Sequence, residues 1–178
     1  LVLPASTLRA GAQALGVDPG FPGMLRELTV VGSPVHIDPA ISALFSPHGD
    51  CGLNVQYRLP GGPVVTAHGW CGAVETWDFR SFLGRPLPGM RVYVLDGDRQ
   101  LVSRGNSGEM YVGGVLRGRA ASALDRDRAG VPDPYVDDPD AMIHPTGVRA
   151  RHRADGVVEF MGRCVPRGDG SGDPVNTH

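Results

Sequence analysis

The chain has 178 residues, 41% of them hydrophobic, with 17 basic and 19 acidic side chains and a formal net charge of −2. That length makes one ordinary domain or two small subdomains, burying roughly 70% of the unfolded surface. The charge balance excludes a basic nucleic-acid face and an acidic tail, and no apolar run reaches the roughly 20 residues of a membrane helix. The opening Leu1-Val2-Leu3-Pro4 lacks the flanks of a signal peptide. The 26 glycines and 16 prolines make up about a quarter of the chain, just below the range of disordered segments. Every basic residue is arginine, and 15 of the acids are aspartate. No lysine ammonium is therefore available within these residues for binding phosphate or attacking a carbonyl. Cys51, Cys71 and Cys164 are odd in number and form no C-x-x-C pair, which predicts free thiols rather than a disulfide scaffold or zinc site. The histidines at 36, 48, 68, 144, 152 and 178 are scattered, and none sits at i, i+4 beside a carboxylate.

In chain order, Ser6 is placed to cap a short helix with Leu8, Ala12 and Leu15 on one face and Gly16 at its end. Pro19-Gly20 and Pro22-Gly23 mark a loop. Leu25 to Gly32 is rich in β-branched residues and reads as a buried strand. Asp38-Pro39 is a cap followed by a first-turn proline, opening a helix through Ile41, Leu44 and Phe45 that Ser46-Pro47 stops. Leu53 to Leu59 predicts a second strand, and strand, helix, strand in this order predicts a parallel βαβ unit. From about residue 80 the pattern becomes a meander: a strand over Arg91–Asp96, a turn at Gly97-Asp98, then Leu101-Val102 and Glu109–Val112. A second hairpin joins Arg149–Arg153 to Val157–Met161 through Ala154-Asp155-Gly156. The proline-punctuated stretch 125–140 reads as a mobile loop. The expected organisation is a partial α/β subdomain over 1–75, an antiparallel β subdomain (a small sheet or distorted barrel) over 80–163, and a flexible tail over 164–178.

Several segments carry a family resemblance. Leu83-Gly84-Arg85-Pro86-Leu87-Pro88-Gly89-Met90-Arg91-Val92-Tyr93-Val94-Leu95-Asp96 resembles the adenylation domains of nonribosomal peptide synthetases, within the acyl-adenylate-forming superfamily. Leu25 to Gly32 is similar to that family's LRELxxxGE strand, and Gly108 to Gly114 to its GELYVGG segment. Thr146-Gly147, followed by Asp155 to Arg163, is similar to TGDLARWRPDGxLEFLGR. The order and spacing agree over most of residues 25–163, and the resemblance implies the second half of an adenylation core. The family's glycine-rich phosphate loop would lie before Leu1, and its lysine-bearing lid beyond His178.

The resemblance also implies altered chemistry. If Tyr57 is the tyrosine of the family's Asn-x-Tyr-Gly-Pro-Thr-Glu motif, Pro60 stands at the threonine that contacts the α-phosphate and Gly61 at the glutamate that holds magnesium. Val148 stands at the aspartate that grips both ribose hydroxyls, removing two charge-assisted hydrogen bonds. Tyr57, Thr146, Gly147 and Arg163 persist as vestiges of the nucleotide site. The hinge after Arg163 becomes Val165-Pro166-Arg167-Gly168-Asp169. Glu75, on the strand region after that motif, is a conceivable magnesium ligand, although a surface glutamate is the commoner reading. Arg163 could still meet a phosphate, since Arg suits anions bidentately, but the commoner reading is an ion pair with Glu159 or Asp155; Arg58 is expected either to intrude on the cleft or to project to solvent.

These losses, beside fold-keeping residues such as Gly84, Pro86, Gly108 and Gly113, imply a catalytically inactive, truncated adenylation domain. On that expectation the chain is not an enzyme. It binds no cofactor or metal, stays in the cytoplasm and serves as a structural or contact element of a synthetase. The expected partners are neighbouring condensation, carrier or tailoring domains or a second copy, with no nucleic acid or membrane. The alternatives are part of an amino-acid-activating enzyme completed by another chain, and a small binding module using the remaining cleft. The apolar faces of Leu28, Val30, Leu53 and Val55 are expected to be bare and to seek a partner.

Overall fold

The computed structural model of the chain describes residues 1–15, 25–45, 51–78, 80–114 and 130–164. Apart from Cys164, the flexible tail over 164–178 and the first part of the loop over 125–140 are expectations that fall outside those residues. Strand β1 (Val2–Pro4) leads into helix α1 (Ala5–Leu15), then β2 (Glu27–Gly32), α2 (Pro39–Phe45) and β3 (Gly52–Arg58). β1, β2 and β3 pair in parallel, with Val2 opposite Thr29 and Leu28 opposite Leu53. The expected βαβ unit is present and is preceded by a second one. Helix α2 begins as its sequence dictates: the Ile41 N–H donates to Asp38 Oδ1 at 2.8 Å, and proline follows where no donor is needed.

The chain then reverses. β4 (Val64–Trp70) runs antiparallel to β3, and after the 3-10 turn Val74–Thr76 comes β5 (Phe82–Pro86). β6 (Met90–Leu95), β7 (Ser107–Gly114), the two-residue β8 (Val131–Pro132), β9 (Met142–His152) and β10 (Val158–Arg163) follow. The path across the mixed sheet is β1-β2-β3-β4-β5-β10-β9-β7-β6, with β8 on β9. The architecture is thus a partial α/β layer running into an antiparallel sheet that does not close.

β5 joins the two parts. Its Arg85 and Pro86 pair with β4, while Phe82 and Gly84 pair with β10. Alternation along β5 sends Phe82 into one apolar cluster and Leu83 into the other. The first cluster lies under the helices and holds Leu8, Ile41, Leu44, Phe45, Leu53 and Val55. The second holds Tyr57, Leu59, Val65, Met110, Val112 and Val148.

Three expectations need correction. Leu28, Val30, Leu53 and Val55 are not bare; each is at most 1% exposed, in the cluster that includes α1 and α2. Glu75 lies on an exposed 3-10 turn rather than a strand. The described part of the 125–140 stretch is tied down: β8 pairs with β9, and the buried Asp133 accepts from Arg91 Nε at 3.1 Å, Tyr93 OH at 3.2 Å and the Tyr135 N–H at 3.0 Å.

Two tests follow from this packing. At Gly84, with φ +101°, a Cβ would sit 2.1 Å from the Ala67 carbonyl oxygen. Gly84→Ala is expected to cost about 3 kcal/mol in urea unfolding, whereas Gly11→Ala, which meets open space in α1, gains up to about 1 kcal/mol. Equal effects would refute the close-approach account. His68 is wedged between Trp70 and Phe82, with ring centroids 4.4 and 4.6 Å away. Burial holds its pKa below the ordinary imidazole value, so the folded state binds fewer protons than the unfolded one there. Stability is therefore expected to fall as pH drops below about 6.5, and His68→Phe should flatten that slope in denaturation curves taken between pH 7 and 5.

Candidate functional site

The site is assembled where β3 and β10 end beside the middle of β9. Antiparallel β9 and β10 place Val148 opposite Arg163, and residues so paired share a face of the sheet. Val148 is 2% exposed and packs in the cluster with Tyr57, Leu59 and Val65, while Arg163 is exposed. Tyr57 is itself buried. Its phenol is pushed up to about 12 by burial, against the opposing pull of the Arg163 charge. Tyr57 and Arg163, 106 positions apart in sequence, therefore meet electrostatically, with Val148 in the same cluster as the tyrosine.

Thr146 and Gly147 belong to a bulge. Glu109 of β7 pairs with Arg149 of β9, and Tyr111 with Pro145, so Met110 alone faces Thr146, Gly147 and Val148. Gly147 adopts φ +69°, a left-handed conformation that glycine enters without a Cβ penalty. The Thr146 hydroxyl donates to the Met110 carbonyl at 2.8 Å and accepts the Val148 N–H at 3.2 Å. The Gly147 N–H donates to Glu109 Oε1 at 3.1 Å, and its carbonyl accepts the Cys164 N–H at 2.8 Å. A second bulge at Met161 lies across the same stretch, because Phe160 pairs with Ala150 but Gly162 with Arg149.

Pro60 and Gly61 are exposed at the tip of the β3–β4 hairpin. The Gly62 N–H donates to the Leu59 carbonyl at 2.9 Å, and Gly61 has φ +66°. Proline at the second and glycine at the third position of such a turn define type II geometry. These two residues therefore act as turn formers and present no oxygen-bearing side chain. Arg58 is exposed, the second of its two expected placements, and its Nε donates to the Gly62 carbonyl at 2.8 Å, bracing the same hairpin.

The expected ion pairs of Arg163 are not made. Glu159 is taken by Arg151, its cross-strand partner, through Nε at 3.0 Å and Nη2 at 2.7 Å. Asp155 pairs with Arg153 at 3.3 Å, and Arg153 also binds Asp78 at 3.0 Å and lies over the Phe82 ring. Glu75 lines a separate recess of about 540 Å³ with His36, Asp38 and Ser42, none of them among the residues just assembled. Among the described residues, no group of three or more histidine, cysteine, aspartate or glutamate side chains is placed to hold a metal ion. No helix among them is long and apolar enough to cross a membrane. Sequence reasoning gave no role to Glu109 or Leu59. Glu109 stood in plain view in the matched GELYVGG-like segment, and only the β7–β9 register shows what it holds.

No protein-family model matches the chain. Over 142 residues it is 32% identical to a component of the linear gramicidin synthase of Brevibacillus parabrevis, an overlap of 79% of this chain and 3% of that protein. Over 86 residues it is 43% identical to phosphinothricin tripeptide synthetase PhsC of Streptomyces viridochromogenes, covering 46% of this chain and 8% of that protein. An artificially fused adenylation–PCP di-domain synthetase from Klebsiella oxytoca superposes with a TM-score of 0.66 at 20% identity, over 92% of this chain and 30% of that one. The chain is a segment related to the adenylation domains of nonribosomal peptide synthetases, and it spans a small share of the curated relatives it matches.

The expectation that the chain is not an enzyme is corrected by these relatives. They are synthetases, and nothing in them supports a chain outside enzymes. Burial of Val148 makes a test. Val148→Thr keeps the shape but adds a hydroxyl to an apolar cluster, and is expected to cost about 1–3 kcal/mol in urea unfolding. An unchanged midpoint would show that this position faces an open, wet cleft instead.

Proposed function

We propose that the chain forms the second half of the core of an amino-acid-activating domain in a nonribosomal peptide synthetase, completed by the remainder of an adenylation domain. The reaction class is adenylation. A carboxylate oxygen of the amino acid attacks the α-phosphate of ATP, the bond to the β-phosphate breaks, and pyrophosphate leaves. The observation that carries the reading is the convergence of Tyr57 and Arg163, at the ends of β3 and β10, with Thr146 and Gly147 in the bulge of β9. The synthetase relatives support it, as does the shared fold.

In this reading Arg163 meets an anionic oxygen of the nucleotide from the rim. The bulge offers backbone groups, and Tyr57 forms an uncharged wall. Pro60, Gly61 and Val148 supply no oxygen, so the ribose and metal contacts fall to residues beyond this chain or to water. ATP is then held more loosely than in a domain with an aspartate at position 148. Neighbouring carrier, condensation or tailoring domains are the partners such a segment would serve.

Amino-acid-dependent pyrophosphate exchange by the synthetase polypeptide carrying this chain, assayed over a panel of amino acids, tests the reading. Exchange above background is expected, with Arg163→Ala lowering kcat/KM for ATP about 10- to 100-fold, as loss of a charge-assisted hydrogen bond does. Absence of exchange with every amino acid, together with no ATP binding by calorimetry, would refute it.

A further inference from the structure

The three-against-one bulge between β9 and β7 leaves backbone groups with no opposite number. Met110 has one carbonyl to offer a stretch that contains the Gly147 and Val148 N–H groups. Thr146 resolves two of these demands through its hydroxyl, taking the Val148 N–H and donating to the Met110 carbonyl. The Gly147 N–H is met by a side chain from the facing strand, Glu109 Oε1 at 3.1 Å. The peptide unit so anchored continues directly to β10, because the Gly147 carbonyl accepts from Cys164, the residue after Arg163. A carboxylate on β7 thus fixes a glycine on β9, and that glycine fixes the end of β10 where the arginine projects.

We infer that Glu109 is the positioning residue of the nucleotide rim: its carboxylate locks the Thr146-Gly147-Val148 bulge and through it sets the place of Arg163. This rests on the adenylation reading above. It goes beyond that reading by assigning a role to a residue that touches no substrate. The role requires a hydrogen-bond acceptor rather than a charge, so glutamine at this position performs it and alanine does not.

The test has two parts. In the synthetase, Glu109→Ala is expected to raise KM for ATP about tenfold, the cost of one hydrogen bond lost from a half-buried amide, with kcat in pyrophosphate exchange changed less than about twofold. Glu109→Gln should restore KM to near the wild-type value. An unchanged KM in Glu109→Ala, or a Glu109→Gln variant as impaired as the alanine one, overturns the inference. In the chain itself, amide hydrogen exchange read by NMR gives an answer that does not need activity. Glu109→Ala should accelerate the Gly147 and Cys164 amides about tenfold or more, leaving those of Val30 and Val55 at wild-type rates, and Glu109→Gln should not. If the synthetase shows no exchange activity at all, the adenylation reading fails while the amide rates still decide the role of Glu109. Unaltered Gly147 and Cys164 rates in the alanine variant would end it.

Discussion

Everything in this molecule hangs on the contact between β5 and β4 at Gly84. The Ala67 carbonyl lies so close to this glycine that any Cβ would overlap it. β5 is the one strand that bonds to the α/β layer on one side and to the antiparallel sheet on the other. Thr66 strengthens the join, its fully buried hydroxyl donating to the Leu83 carbonyl. A hydroxyl with no access to water has to find an acceptor, and the acceptor here belongs to the joining strand. Because β5 holds both β4 and β10, it sets the distance between the end of β3, which carries Tyr57, and the end of β10, which carries Arg163. The candidate site is a product of that junction rather than of any local motif.

At the site itself, apolar packing and charge are layered. Tyr57, Leu59, Val65 and Val148 form the floor, and Arg163 stands at the solvent edge. Burial keeps the phenol of Tyr57 neutral far into the alkaline range, although a guanidinium lies close enough to pull the other way. Desolvation wins because a buried phenolate loses its hydration, while the exposed arginine is screened by water. The hairpin tip fits the same floor. The Pro60-Gly61 turn closes β3 onto β4 directly after Leu59, whose side chain drops into the cluster that contains Val148. The exposed Pro60-Gly61 turn and the buried Val148 are consistent with one another: the turn brings Leu59 onto the apolar floor that Val148 completes.

What could be read from the sequence was local. The Asp38 cap, the parallel unit β2-α2-β3 and strands β6, β7 and β10 rest on spacing of a few residues and are found where the pattern places them, whereas Leu101-Val102 yields only an isolated bridge from Leu101 to Leu95. β4 escaped because Pro63, His68 and Gly69 break its alternation and a bulge at its start shifts the register. β1 is three residues long and gains its identity only by lying beside β2. The ion pairs were misread for a related reason. Arg163, Glu159 and Asp155 are near neighbours in sequence, but strand register hands Glu159 to Arg151 and the β9–β10 turn hands Asp155 to Arg153. The supposedly bare apolar strands were misjudged because α1 had been assigned no place over them. Convergence of Tyr57 with Arg163 was implied by the resemblance alone, since no spacing rule joins residues so far apart.

The bulge explains which residues a chain of this kind has to keep and which it can exchange. Thr146, Gly147 and Glu109 are bound by backbone arithmetic: each closes a hydrogen bond that a three-against-one register would otherwise leave open. Position 147 also needs a left-handed backbone that a side chain would strain. Position 148 contributes its N–H to this arithmetic but not its side chain, which any residue could supply while the bulge stays intact. Its side chain is therefore free to follow the floor beneath it, and an apolar floor favours valine. Pro60 and Gly61 are constrained by turn geometry alone in the same way. Side chains at these three places are therefore set by the turn and the apolar floor rather than by the hydrogen bonds that hold the strands. Strand pairing at the bulge and side-chain identity at position 148 are uncoupled in this chain.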